Sequence, residues 1–292
     1  MLLLNGYNLT INSFPNGELN ILNIEEAIKL RKANKPHHFI LKYESDKDLM
    51  ALFFAKRHLD VRMQWNNSSD LSIAYMPYSR MDRAETPETP FMLKFVCNFI
   101  NDMRFNTVYV HEPHSAITPQ LLNNVVEIYD NINLVKEAMR YEGFNPTHDY
   151  IVFPDKGAME RYKGLIESPC MLYGKKEREF STGKIIGLDI VGDKSKIVED
   201  NSIALIVDDL SSYGGTFVHT SKKLKELGFA SVALLVAHAE NSIFKGQLFE
   251  HVDRVYTTDS ILTEQNNWEN QKYKDKLHVF GLIEQMKAGN KK

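Results

Sequence analysis

Residues 203–227 read IALIVDDLSSYGGTFVHTSKKLKEL and form the most informative segment of the chain. A continuous apolar run ends in two adjacent carboxylates, Asp208 and Asp209, and a short loop with Gly214 and Gly215 leads into an amphipathic pattern. The run predicts a buried strand and the pattern after it predicts a helix. Free backbone N–H groups and the positive end of the helix dipole meet at such a loop, where glycines let a phosphate approach. The segment therefore predicts a phosphate cradle beside a carboxylate pair.

The carboxylate pair has two possible uses in this interpretation. Asp208 and Asp209 are suited to the vicinal hydroxyls of a ribose, which they would bind directly or through a divalent cation. The same sequence is also compatible with an ordinary turn between a strand and a helix, with Thr216 as the N-terminal cap of the helix.

The rest of the chain repeats the alternation of short apolar runs and helical patterns. HHFILKY precedes DLMALFFAKRHL, LSIAYMPY precedes PFMLKFVCNFI, and YIVFPD precedes MERYKGLI. This order predicts βαβ units and therefore an α/β fold with mostly parallel sheets flanked by helices. Because 292 residues exceed the usual size of one hydrophobic core, we expect two domains, at residues 1–135 and 136–292.

Bulk composition excludes several classes of protein. Apolar residues make up 43% and charged residues 25%, the balance of a soluble globular protein. The net charge is −3 without a dense basic cluster, so nucleic acid is not expected as a partner. Cys97 and Cys170 stand in apolar stretches, which predicts buried thiols in a reducing compartment. No segment reads as a signal peptide or a membrane span, so we expect a cytoplasmic protein without a membrane partner.

Six further motifs accompany this segment along the chain. They are FPNGE at 14–18, YMPYSRMDR at 75–83, EPHS at 112–115, FPDKGA at 153–158, KER at 176–178 and TDSI at 258–261. Each is weak alone, but all seven together, in this order, resemble the motifs of the ribose-phosphate diphosphokinases, also called phosphoribosyl pyrophosphate synthetases. The segment at 208–216 by itself also resembles type I phosphoribosyltransferases. Such an enzyme would need only the second half of the chain, so the N-terminal motifs favour the synthetases.

The resemblance implies a fold, a reaction and a cofactor. The fold would be two phosphoribosyltransferase-like domains, the first on the nucleotide side and the second carrying the ribose-phosphate loop. The reaction would move the β,γ-pyrophosphoryl group of ATP, with Mg²⁺, onto the C1 hydroxyl of ribose 5-phosphate, giving a 1-pyrophosphate and AMP. Because the FPNGE loop often serves a neighbouring subunit in this family, a homo-oligomer is implied, a dimer or larger.

The resemblance also implies roles for individual residues. On the nucleotide side it implies ATP contacts from Phe14, Asn16, Glu18, Arg80, Asp82 and His114. On the acceptor side it implies contacts to ribose and phosphate from Asp208, Asp209, Ser212, Tyr213, Gly214, Gly215 and Thr216. The Phe14 ring would stack on adenine, and the Arg80 guanidinium would donate several hydrogen bonds to phosphate oxygens.

Catalysis and metal binding involve four residues in this interpretation. Lys176 and Arg178 would neutralise charge on the transferred group, although a solvated charged loop fits the same composition. His114 and Asp155 would flank the magnesium of ATP, the carboxylate as a natural oxygen ligand and the imidazole through water. Neither resemblance nor residue chemistry identifies a general base, although Asp208 or Asp209 could accept the proton.

Two departures from the family pattern bear on the substrate and on regulation. Ser212 stands where the family has an acidic residue, and Tyr213 stands where it has a small threonine. A ring beside the 5-phosphate pocket could stack on an adenine, which would suit ADP-ribose, whereas simple drift would leave Tyr213 packed on the domain surface. Residues 84–88 read AETPE where the family has several basic residues, so its phosphate and ADP regulation is not expected here.

Three functions therefore stay open at the level of sequence. The chain is a diphosphotransferase with ribose 5-phosphate as the acceptor, or one with ADP-ribose as the acceptor, which would give ADP-ribose pyrophosphate for NAD synthesis. From another class, it is a catalytically silent subunit that only binds nucleotide within a synthetase complex. Retention of Lys176, Arg178, Asp155, Asp208 and Asp209 argues against a silent subunit.

Overall fold

A computed structural model describes residues 1–65, 68–178, 185–263 and 272–289, excluding the side chains of 176–178, 185, 186 and 289. Its strands are β1 (Leu2–Leu4), β2 (Tyr7–Asn8), β3 (Thr10–Ser13), β4 (Leu19–Leu22), β5 (His37–Leu41), β6 (Ser69–Ile73), β7 (Val108–His111), β8 (Val125–Ile128), β9 (Tyr150–Phe153), β10 (Met171–Arg178), β11 (Ile185–Val191), β12 (Ile203–Ser211), β13 (Ser231–Ala239), β14 (Arg254–Thr258) and β15 (Leu277–Phe280). Its α-helices are α1 (Ile24–Lys29), α2 (Asp46–Arg62), α3 (Met92–Asn101), α4 (Ile117–Leu121), α5 (Asn131–Glu142), α6 (Lys156–Tyr162), α7 (Gly215–Glu226), α8 (Leu248–His251) and α9 (Leu282–Gly289).

The chain divides into two compact units. Unit 1 comprises Met1–Tyr129 and Gly281–Lys292, and unit 2 comprises Asp130–Phe280. Within unit 1, the described residues form a sheet in the order β2-β1-β5-β6-β7-β8, which is parallel from β5 to β8 and antiparallel at β1 and β2. The apolar faces of α2 and α3 pack on this sheet, with Leu52, Leu93 and Phe39 in one core.

Unit 2 contains β12, the strand that ends in Asp208 and Asp209. The described residues form a sheet in the order β11-β10-β9-β12-β13-β14-β15, parallel except where β11 pairs antiparallel with β10. Strand β12 lies at its centre between β9 and β13, and burial on both faces explains its continuous apolar sequence. Helix α7 packs Phe217 and Leu224 into the same core as Ile206 and Leu234. The predicted fold class, α/β with two mostly parallel sheets flanked by helices, is confirmed.

The C-terminal helix belongs to unit 1 although it follows the last strand of unit 2. Leu282, Ile283 and Met286 of α9 are buried against Leu3 and Ile40 of the first sheet. The units therefore differ from the predicted domains of 1–135 and 136–292 at two places. Unit 2 starts at Asp130, six residues earlier than the predicted boundary, and the end of the chain belongs to unit 1, where the apolar side chains of α9 are buried.

The segment predicted as a loop around KER is extended backbone in part. Strand β10 includes Lys176, Glu177 and Arg178 and pairs with β11, with a register irregularity between Glu177 and Arg178. Backbone pairing across the two strands satisfies donors and acceptors that a loop would leave to solvent. Cys97 and Cys170 are buried free thiols, as the sequence predicted. In the described part of the chain, no helix has the length and apolarity needed to span a membrane.

Candidate functional site

The carboxyl end of β12 carries the two carboxylates of the predicted ribose site. Asp208 and Asp209 are the sixth and seventh residues of the strand, which continues to Ser211 before the loop that leads into α7. The strand, loop and helix therefore follow one another as the sequence predicted. The carboxyl edge of a parallel sheet is the usual place for a ligand in folds of this class.

The loop ahead of α7 leaves the start of the helix open to an anion. Gly214 is the N-terminal cap with φ of 79°, a left-handed conformation that favours glycine, and a side chain there would crowd Leu248. No side chain caps the helix, and its first turn carries no acidic residue. Added at Gly215, a Cβ would meet no atom within 4 Å. The first backbone N–H groups of α7 are therefore available to a phosphate. The cap of the helix is Gly214 and not Thr216, the residue that the alternative interpretation of the sequence would make the cap.

The backbone around Tyr213 is fixed while its ring is exposed. The Ser212 hydroxyl lies 2.9 Å from the Ser242 hydroxyl, which donates to Glu240 Oε2 at 3.1 Å. A side chain at Gly246 would overlap the Tyr213 carbonyl oxygen, so the loop passes closely over that glycine. Tyr213 is nevertheless 58% exposed. More than half of the surface of Tyr213 is therefore accessible to solvent.

Arg161 joins the two carboxylates and was not among the residues that the sequence singled out. Its Nη1 lies 3.1 Å from Asp208 Oδ1 and 2.6 Å from Asp209 Oδ1, and all three side chains are largely buried. Arg161 lies on α6, which begins within the FPDKGA motif. The motif predicts the helix, but the sequence around Arg161 does not indicate a role for this arginine. Only the packing of α6 against β12 brings it to the pair.

Burial and mutual repulsion make it energetically costly for Asp208 and Asp209 to be ionised together. Burial and the neighbouring Asp209 carboxylate raise the pKa of Asp208 well above its ordinary value, although Arg161 opposes both effects. Burial lowers the pKa of the Arg161 guanidinium, but attraction to Asp209 and Asp208 outweighs burial and raises it. The guanidinium therefore stays charged and partly neutralises two carboxylates that would otherwise repel each other.

Two further residues hold this corner of unit 2. Asn131 Nδ2 donates to the Asp208 carbonyl oxygen at 2.8 Å and to the Tyr162 hydroxyl at 2.7 Å. The Tyr162 ring is fully buried and stacks on Phe153 with their centroids 6.0 Å apart. The end of β12 and the end of α6 are thus tied to the same amide.

The two predicted metal residues lie in different units and are described separately. Asp155, in unit 2, caps α6 by accepting from the Ala158 N–H at 3.0 Å. His114, in unit 1, follows β7 and is half-buried. Within the described residues, no three or more His, Cys, Asp or Glu side chains are grouped so as to hold a metal ion.

The predicted adenine loop forms the turn of a hairpin in unit 1. Strands β3 and β4 pair antiparallel, and Phe14 and Glu18 close the turn with a hydrogen bond of 2.8 Å from the Phe14 N–H. Gly17 has φ of 89°, and Asn16 Oδ1 accepts from the Glu18 N–H at 3.2 Å. Phe14 is 53% exposed. Such exposure contradicts a core role for its ring.

An open cavity of about 620 Å³ lies beside this hairpin. Its lining residues come from the hairpin and the start of α2: Phe14, Gly17, Glu18, Leu19, Asp46, Lys47, Met50 and Phe54. Two of the predicted nucleotide-side residues, Phe14 and Glu18, therefore share one cavity.

Two further predicted nucleotide-side residues, Arg80 and Asp82, follow a strained turn after β6. Tyr78 has φ of 61°, unusual for a residue with a side chain, and its hydroxyl donates to the Asp46 carboxylate at 2.9 Å. Arg80 beyond this turn is exposed, and Asp82 is half-buried. The side chains of Lys176 and Arg178 lie outside the described part of the structure, so their roles stay predictions.

Comparison with known proteins gives relatives that share one name. The chain is 28% identical over 262 residues to the ribose-phosphate pyrophosphokinase of Pyrococcus furiosus, covering 88% of this chain and 87% of that one. It is 29% identical over 223 residues to the protein of that name from Sulfolobus acidocaldarius, covering 74% and 72%. Identity with the Aeropyrum pernix protein of that name is 31% over 201 residues, covering 65% and 61%. No family model matches the chain.

A solved structure shares the fold across nearly the whole chain. The phosphoribosylpyrophosphate synthetase of Mycobacterium smegmatis superposes with a TM-score of 0.70 at 15% identity, covering 97% of this chain and 89% of that one. Fold and site together define an α/β protein that presents a carboxylate pair and an open helix N-terminus at the carboxyl edge of one sheet. Over most of its length the chain is therefore similar in sequence to curated ribose-phosphate pyrophosphokinases, and it shares the fold of a phosphoribosylpyrophosphate synthetase.

Proposed function

We propose that the chain transfers the β,γ-pyrophosphoryl group of ATP to the C1 hydroxyl of a ribose 5-phosphate compound, giving a 1-pyrophosphate and AMP. The observation that carries the proposal is the end of β12, where Asp208 and Asp209 precede the loop to α7, a helix whose N-terminus no side chain caps. Vicinal hydroxyls need acceptors and a 5-phosphate needs N–H donors, and one loop offers both. Relatives named ribose-phosphate pyrophosphokinase support the same reaction.

The reaction asks the protein for positioning and charge more than for covalent chemistry. The C1 hydroxyl attacks the β-phosphorus in line, the bond from that phosphorus to the α-phosphate oxygen breaks, and AMP leaves. Asp208, Asp209 and the Ser212–Thr216 loop would fix the sugar. Lys176 and Arg178 would stabilise the charge on the transferred oxygens.

The Asp155 carboxylate of unit 2 is of the kind that suits a magnesium ion arriving with ATP. Magnesium is usually held by one or two carboxylates together with substrate phosphates and water, so it does not need a cluster of protein ligands. Asp155 supplies one such oxygen donor, half-buried at the cap of α6, and His114 would act through water. When bound, the ion would supply positive charge to the β- and γ-phosphate oxygens.

The hairpin of unit 1 is proposed to hold adenine. Phe14 would stack on the base while Asn16 and Glu18 hydrogen-bond to base and ribose, and Arg80 and Asp82 would contact the triphosphate side. The exposed ring at the tip of a hairpin supports a site completed by a neighbouring subunit, and hence a homo-oligomer of this chain.

Release of AMP tests the proposed reaction. Purified protein with ATP and Mg²⁺ is expected to form AMP only when ribose 5-phosphate or ADP-ribose is added. Nucleotide binding without AMP release for either acceptor would contradict the enzyme and favour the silent subunit.

A second candidate acceptor is ADP-ribose, favoured by one observation. The Tyr213 ring is exposed beside the loop proposed to bind the 5-phosphate, while its backbone is held by the Ser212–Ser242 hydrogen bond and by Gly246. A fixed backbone with an exposed ring suits stacking on the adenine of an esterified 5-phosphate. The product would then be ADP-ribose pyrophosphate.

A further inference from the structure

The guanidinium of Arg161 and the carboxylates of Asp208 and Asp209 form one converging group. Neighbouring side chains of a strand ordinarily point to opposite faces of the sheet. Here the Oδ1 atoms of both aspartates contact the same Nη1, at 3.1 and 2.6 Å. Asp208 Oδ1 also accepts from the Asp209 N–H at 2.9 Å. The end of β12 is therefore arranged around one cation.

The Arg161 guanidinium lies in the interior of unit 2 and not on its surface. Tyr162, the next residue, is fully buried and accepts a hydrogen bond from Asn131, while Asp155 caps the other end of the same short helix. The Arg161 side chain itself is only 15% exposed. Because both ends of α6 are fixed, the guanidinium cannot swing into solvent without disturbing its neighbours.

Repulsion between two buried neighbouring carboxylates can be relieved by a shared proton, by a metal ion or by a cationic side chain. Arg161 already provides this charge between Asp208 and Asp209. We infer that Arg161 is a positioning residue that keeps this pair oriented to bind two vicinal hydroxyls of the acceptor directly, without a divalent cation between carboxylates and sugar. The inference rests on the proposed function, since it concerns how that acceptor is recognised.

This role differs from that of the metal carried by ATP. Both ion pairs use Oδ1 of the aspartates, so Oδ2 of Asp208, the more exposed of the two residues, is the acceptor assigned to one sugar hydroxyl. A charged guanidinium opposes the approach of a second cation to the same pair. Recognition of the sugar is therefore independent of Mg²⁺, whereas transfer of the pyrophosphoryl group is not.

Calorimetric binding without ATP tests the inference apart from turnover. Ribose 5-phosphate and ADP-ribose are titrated into the intact protein in EDTA and again with Mg²⁺. At least one is expected to bind, with its Kd changed by no more than about twofold by the metal. Dependence of binding on Mg²⁺, or failure of both compounds to bind, overturns the inference. Metal-independent binding without AMP release would keep the inference and reject the proposed reaction.

Variants of Arg161 supply the second arm. Arg161→Gln is expected to weaken sugar binding by about 10- to 100-fold, the loss of charge-assisted hydrogen bonds, while ATP binding is unchanged. Arg161→Lys, which keeps the charge, should restore part of the affinity. The matched control is Arg140→Gln, on the exposed face of α5, which should bind like the wild type. Equal affinity in Arg161→Gln and the wild type overturns the inference.

Asp208→Asn keeps the test decisive if loss of the guanidinium prevents folding. The variant removes one of two repelling carboxylates and leaves a simple Arg161–Asp209 pair, so the fold is expected to persist. Sugar binding should fall by about 10-fold or more, because an amide offers one acceptor oxygen where a carboxylate offers two. Removal of the 2-hydroxyl, measured with 2-deoxyribose 5-phosphate, should therefore weaken binding less in Asp208→Asn than in the wild type. Undiminished binding of ribose 5-phosphate by Asp208→Asn overturns the inference.

Discussion

At the scale of single residues, Tyr213 distinguishes the two acceptors. Its ring is exposed while Ser212, Ser242 and Gly246 hold the loop beneath it. Tyr213→Thr removes a stacking surface worth about 1 kcal/mol or more, so we expect kcat/KM to fall for ADP-ribose relative to ribose 5-phosphate. Steady-state kinetics with both acceptors measures the ratio.

The ratio separates stacking from a general loss of fold, which would lower both values together. Phe95→Ala is a matched control because this exposed ring of α3 lies in unit 1. An unchanged ratio in Tyr213→Thr would show that the ring does not contact the acceptor.

Lys176 and Arg178 are expected to act in the transition state. Either alanine variant should lower kcat by orders of magnitude with ATP binding nearly intact, because charge on the transferred group is greatest during transfer. Lys175→Ala, which removes one exposed charge from the same strand, is the control and should retain activity. If kcat is unchanged and only the Kd for ATP rises, these residues serve ground-state binding.

At the scale of elements, β5 carries two buried histidines into the sheet of unit 1. Burial lowers the pKa of His38 to about 4, with a smaller effect from His111, and burial together with Arg31 lowers the pKa of His37 to about 4. Above pH 6.5 both folded and unfolded chains hold neutral imidazoles. As the pH falls from 6.5 to 4 the unfolded chain takes up the protons first, so the free energy of unfolding decreases through this window.

The expected loss for His38 is at most about 3 kcal/mol between these pH values. Chemical denaturation at a series of pH values measures it, and His38→Gln should flatten the dependence. A wild-type curve that is flat between pH 6.5 and 4 would contradict the burial argument.

Helix α9 stabilises unit 1 through its apolar face. Ile283 is buried against Leu3 and Ile40, so Ile283→Ala should lower the free energy of unfolding of unit 1 by about 2–4 kcal/mol. The exposed Glu284 on the same helix is the control, and Glu284→Ala should change it by less than about 0.5 kcal/mol. Urea denaturation of both variants compares them, and equal stability would mean that α9 does not hold the unit.

The order of elements could be predicted because it is written in local patterns. Buried parallel strands such as β12 require continuous apolar runs, and the glycines at 214 and 215 mark the start of α7. The return of α9 to unit 1 could not be predicted, because it depends on which distant surface matches its apolar face. Strand β11 was missed for a similar reason, since its pairing with β10 is a contact between segments and not a property of either.

The same distinction holds for the site. The carboxylate pair and the loop are adjacent in sequence and could be predicted from residue chemistry. Arg161 is 47 residues from Asp208 and reaches it only through the packing of α6 on β12. Its position in an ordinary amphipathic pattern gave no indication of the role.

At the scale of the whole molecule, the central claim is that two phosphates move as one group from ATP to a sugar. The direct measurement is mass spectrometry of products after incubation with ATP, Mg²⁺, ribose 5-phosphate and ADP-ribose together. The expected products are a sugar compound heavier by one diphosphate group and an equal amount of AMP. ADP with a sugar compound that has gained a single phosphate, or AMP with free inorganic diphosphate and unchanged sugars, would contradict it.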